Sequence, residues 1–94
     1  MVEEPQAMAS VLAELEALLR PTEPRWAHAM ARYRARLEGG EPVSDVARDV
    51  VTLYSAGMGG WNDVVLQDAR GVLTEQREFH RLRTELFHVA RDAT

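Results

Sequence analysis

The run Ser55–Leu66, SAGMGGWNDVVL, constrains this chain more than any other stretch, because it gathers three of the six glycines, one of the two tryptophans and the only asparagine. Each glycine in a helix interior costs about 1 kcal/mol relative to alanine, so the helical pattern that reaches Leu53 and Tyr54 has to stop here. Gly57 is expected at the C′ position in the left-handed conformation. Met58 would follow at C″ and fold back onto Leu53. Gly59 and Gly60 then permit either a tight reversal or the close approach of a ligand to bare backbone amides. Asn62 and Asp63 are suited to accept hydrogen bonds from backbone N–H groups two or three residues on, as an Asx turn or the cap of a short helix, and the structural role is weighted above a binding one.

Other breakers divide the rest of the chain. Met8, Val11, Leu12, Leu15, Leu18 and Leu19 recur at helical spacing, and Pro21 and Pro24 close that helix and open a second. The second carries Trp26, Met30, Tyr33 and Leu37 until Gly39 and Gly40 stop it. Helices joined so tightly should pack antiparallel. Ser44 and Asp45 read as an N-cap signature after Pro42 for a third helix bearing Val46, Val50, Leu53 and Tyr54. After the glycine run, Val64–Leu66 and the turn at 68–71 suggest a short extended segment or β-hairpin within residues 63–73. Thr74 is the expected cap of a last helix whose buried face is Phe79, Leu82, Leu86 and Val89 or Ala90. The expectation is one mainly α-helical domain over residues 1–94: an antiparallel helical hairpin plus two helices joined by the glycine-rich loop.

Charge and composition narrow the function. With 94 residues, 46% hydrophobic and a net charge of −4, the chain suits a small soluble domain and argues against binding through phosphate neutralisation, so no nucleic-acid partner is expected. It contains no cysteine, which removes disulfides, thiolate metal sites and cysteine nucleophiles. The acidic start, MVEEPQ, lacks the features of a secretory signal, and no apolar run approaches a membrane span, so a cytoplasmic protein with no membrane partner is expected.

Candidate chemistry is sparse. His80 and His88 lie two turns apart, about 12 Å of rise, too far for one ion. His88 and Asp92 have i, i+4 spacing but no third ligand, so neither a metal nor another cofactor is expected. No GxSxG elbow is present, and although His28 and Asp63 could meet in space, their sequence positions do not establish it. GMGG lacks the lysine and hydroxyl of a phosphate loop, and Asn62 stands where a GxGxxG motif needs glycine. Trp26 reads as core from its place on a helical stripe. Trp61 either plugs the core or anchors a binding surface, the core reading being slightly ahead.

The run GMGGWNDVVL, preceded by LYSA and followed by a helix containing FHRLRTELFHVA, resembles a family of small bacterial proteins, a domain of unknown function, whose hallmark is GGMGSFNDLVL or close to it. The similarity extends upstream to the leucine-rich first helix and to Trp26. The chain departs from it at Ala56, Gly60 and Trp61, where the family pattern has glycine, serine and phenylalanine. The resemblance implies a motif and no activity.

The favoured expectation is therefore a non-enzymatic protein-interaction module, accessory or immunity-type, with Gly57, Met58, Gly59, Gly60, Trp61, Asn62 and Asp63 as the candidate site and another bacterial protein as partner. Two alternatives remain open. In one, the glycine amides cradle an anion in a small-molecule-binding protein or minor enzyme, with Asn62, Asp63 and a histidine supplying polarity. In the other, the loop is a structural clasp in a homodimer.

Overall fold

A computed structural model describes residues 4–55, 57 and 59–94. The chain is a small four-helix domain with one short β-ribbon. Helices α1 (Glu4–Leu19), α2 (Pro24–Glu38), α3 (Val43–Leu53) and α4 (Gln76–Ala93) are joined between α3 and α4 by a 3₁₀ turn, Trp61–Asp63, and by strands β1 (Gln67–Asp68) and β2 (Gly71–Val72). The strands pair antiparallel, Gln67 opposite Val72 and Asp68 opposite Gly71.

Proline and glycine set the first hairpin as expected. Pro24 stands at the start of α2, where its missing N–H costs nothing, and Gly39 caps the end, with Gly40 turning the chain at φ 89°. Helix α1 packs on α2 and α4, and α3 packs on α4 and more lightly on α2, so the four close into a ring. The shared core holds Met8, Leu12, Leu15 and Leu19 from α1, Met30 from α2, Val46 and Val50 from α3, and Phe79, Leu82 and Leu86 from α4.

Three helix ends differ from expectation. Helix α3 opens at Val43 with Pro42 at the cap position and no side-chain cap bond, so Ser44 and Asp45 lie inside the first turn. Glu75, not Thr74, precedes α4. Helix α3 stops at Leu53, where Tyr54 N–H and Ser55 N–H bond back to Val51 and Thr52 carbonyls. Those tightened bonds satisfy the last carbonyls before Gly57 is reached, and Gly57 is not in the left-handed region. Its expected C′ role is corrected accordingly. Met58, and with it the expected contact to Leu53, lies outside the described residues.

Candidate functional site

The loop is rooted by Trp61. Its ring is fully buried and meets Trp26, Phe79 and Tyr54 at centroid separations of 5.2, 5.6 and 6.3 Å. Edge-on and tilted aromatic pairs of this kind add to the area that they bury. The backbone folds around the ring in one 3₁₀ turn: Gly60 N–H bonds to Gly57 O, Asp63 N–H to Gly60 O, and Val64 N–H to Trp61 O. Of the two readings of Trp61, the structure takes the core one. Trp26, read as core, is half-buried and covers the outer side of the Trp61 ring.

The polar pair, though exposed, holds the loop. Asn62 Nδ2 donates to the Tyr54 carbonyl at 2.8 Å, tying the turn to the end of α3. Asp63 Oδ2 accepts from the Gly59 N–H at 2.6 Å, which steadies the one loop glycine at positive φ, 83°. The structural role is thus as weighted, but the bonds run backwards along the chain. Asn62 donates instead of accepting, and Asp63 accepts from a residue before it. The glycine amides are also engaged, Gly59 by Asp63 and Gly60 by Gly57, which leaves neither free to cradle an anion.

Arg83 is the residue that sequence reasoning missed. From α4 its Nη1 donates to the carbonyls of Trp61 at 2.9 Å and Val64 at 3.0 Å, while the guanidinium lies 4.6 Å over the Phe79 ring. Burial pulls its pKa down, against the fields of Tyr54 and Asp63. Tyr54 donates its hydroxyl to the Arg83 carbonyl at 2.5 Å. Burial pushes that phenol up to about 12, with Trp61 and Arg83 pulling the other way. The Trp61 indole N–H lies near enough to the Tyr54 oxygen to exert this pull but outside hydrogen-bond geometry, so it is buried without a full acceptor. The available sequence signal was spacing. Arg83 falls four residues after Phe79 and three before Leu86, on the flank of the buried stripe.

Two cavities flank this clasp. In the first, Glu23, Arg25 and Trp26 at the start of α2 face Gly59, Gly60, Asp63 and Val65 across about 320 Å³. Beyond them the chain alternates, Val64 and Leu66 inward, Val65 and Gln67 outward. Gln67 pairs with Val72, so Val65, Gln67 and Val72 share the outer face of the ribbon. Val65 at 39% and Val72 at 63% exposure are the two large apolar side chains open to solvent among the described residues. The second cavity, about 290 Å³, is lined by Tyr54, Asn62, His80, Arg83, Thr84 and Phe87 and shares no residue with the first.

Of the expected site, the structure brings Gly59, Gly60 and Asp63 to the first cavity and Asn62 to the second, buries Trp61 and leaves Gly57 exposed. His28 and Asp63 line separate cavities, with no hydrogen bond between them. Among the described residues no group of three or more histidines and carboxylates is placed to hold a metal, and no helix is long and apolar enough to cross a membrane. Compared with known proteins, the chain matches no family model, no curated protein and no solved structure.

Proposed function

We propose that this chain is a non-enzymatic protein-interaction module, accessory or immunity-type, whose contact surface is the first cavity together with the outer face of the ribbon. One observation carries the reading: the two exposed large apolar residues among the described ones, Val65 and Val72, sit on the one ribbon face that continues a groove bearing Trp26 and Arg25. Tryptophan and arginine are the residue types that dominate binding energy at protein interfaces. The Arg25 guanidinium stands 5.9 Å from the Trp26 ring centroid and forms no ion pair among the described residues, so its charge is free for a partner's carboxylate. The loop below is a rigid support, because Asn62, Asp63 and Arg83 each bond its backbone. The sequence motif thus builds the platform and supplies Val65, and Arg25, Trp26 and Val72 beside it complete the contact surface.

The test is comparative enrichment from a bacterial lysate by the parent protein, by a Val65→Glu, Val72→Glu variant, and by a Glu85→Gln control on the ion-paired face of α4. Both altered valines are exposed, so the fold should persist. A protein retained by parent and control and lost by the double variant supports the surface. Equal retention by all three excludes it. A second copy as partner would give a dimeric solution mass that Val72→Glu returns to monomer.

A further inference from the structure

We propose that the second cavity is a binding site for a small oxyanion, a carboxylate or phosphate carried on a small apolar body, anchored by the free edge of Arg83. The guanidinium has two distinct edges. Nη1 is consumed by the Trp61 and Val64 carbonyls, and one face is covered by Phe79. The remaining edge, Nε with Nη2, is the pair that engages a carboxylate or phosphate side-on through two parallel hydrogen bonds. Neither nitrogen has an acceptor among the described residues, and neither is among the side-chain donors cut off from solvent.

The charge lacks a counter-ion in contact. Arg83 forms no ion pair among the described residues, unlike Arg34, Arg36 and Arg81. Asp63 is near enough for its field to raise the Arg83 pKa, but one of its oxygens is held by the Gly59 N–H. A partly desolvated guanidinium held by neutral carbonyls gains from a mobile anion what it has lost from water.

The surroundings suit such a ligand. His80, Arg83, Thr84 and Phe87 stand at i, i+3, i+4 and i+7 on α4, so they form one stripe along the cavity. His80 and Thr84 line the same cavity as Arg83 and bring polar side chains to it. Phe87, stacked at 5.0 Å on Tyr54, supplies the apolar wall. The Asn62 amide oxygen is left over after Nδ2 bonds to Tyr54, and it would accept from a ligand hydroxyl or amide. About 290 Å³ is the scale of a small metabolite. The site is separate from the proposed contact surface and does not depend on it.

Benzoate and phenyl phosphate, titrated at constant ionic strength against chloride and followed by NMR of the Arg83 Nε–H and the backbone amides of residues 80–87, test the assignment. The expected result is a saturable shift at Arg83 with one or both probes, the stronger probe identifying the preferred oxyanion. Replacing Arg83 would also release the loop, so the variant used is His80→Ala, Thr84→Ala, in which both side chains are exposed. It should weaken binding about fivefold or more, at least the loss that one of the two removed hydrogen bonds carries, with thermal stability unchanged. Shifts that do not saturate, that chloride reproduces, that centre elsewhere, or that the double variant leaves at parental affinity each overturn the proposal.

Discussion

At Trp61 the loop's geometry and its stability meet. The ring fills the space between Trp26, Tyr54 and Phe79, so removing it leaves a cavity that three other aromatic rings cannot collapse to fill. Trp61→Ala is expected to cost about 3–5 kcal/mol. Trp61→Phe keeps most of the ring and deletes an N–H that has no full acceptor, which offsets part of the lost volume, so its cost should stay below about 1.5 kcal/mol. Urea denaturation, with Trp26 as the remaining fluorescent reporter, distinguishes the two. A phenylalanine variant as unstable as the alanine one would refute this account of the Trp61 pocket. Arg83 belongs to the same unit, since it holds the carbonyls on either side of the turn that Trp61 opens.

Among the elements, the route from α3 to β1 turns on two glycines with opposite demands. Gly59 has φ 83°, and a Cβ built there would touch nothing within 4 Å. The cost of Gly59→Ala is therefore purely conformational, about 1–2 kcal/mol. Gly57 lies outside the left-handed region with equally open space around it, and Gly57→Ala should be neutral or stabilising by up to about 1 kcal/mol through the unfolded chain. Thermal melts of the two single variants should move in opposite directions, and a matched fall in both would refute this account of the loop. The four helices were legible because a 3.6-residue period needs only local spacing, and Pro24 with Gly39 marked the ends of α2. The α3 terminus was not legible. Gly57 carried the strongest local stop signal, yet the helix ends at Leu53, in the register that lets Asn62 reach the Tyr54 carbonyl. Such a contact spans the loop and leaves no periodic trace, and the same holds for Arg83, whose partners lie 19 and 22 residues away. The clasp that joins them was therefore visible in the sequence as residue types and not as bonds.

Across the whole molecule, ion pairs link neighbouring helices both at the well-packed α1–α2 seam and at the thin α2–α3 one. Glu16 on α1 bonds Arg34 on α2 at 2.6 Å and Arg20 at 2.7 Å, and Arg36 on α2 bonds Asp49 on α3 at 2.8 Å while also engaging Glu41. The α2–α3 contact is the lightest of the helix pairings in the ring, so the Arg36 bridge matters more there than an exposed pair would elsewhere. The Arg34 hydrogen bond, working against burial, holds the Glu16 carboxyl below its usual range, and Arg36 does the same for Glu41. A carboxyl whose pKa is lower folded than unfolded binds its proton less readily in the native state. Its contribution is then complete above the unfolded value and disappears as pH falls through the folded one. Stability should accordingly be flat near neutrality and decline once pH drops below the ordinary carboxylate range. In Glu16→Gln, which cannot titrate, the neutral-pH stability should be lower and the acid decline shallower. Urea midpoints measured from neutral to acid pH for the parent and Glu16→Gln test this, and parallel curves would show that the bridge between α1 and α2 contributes nothing to the pH dependence.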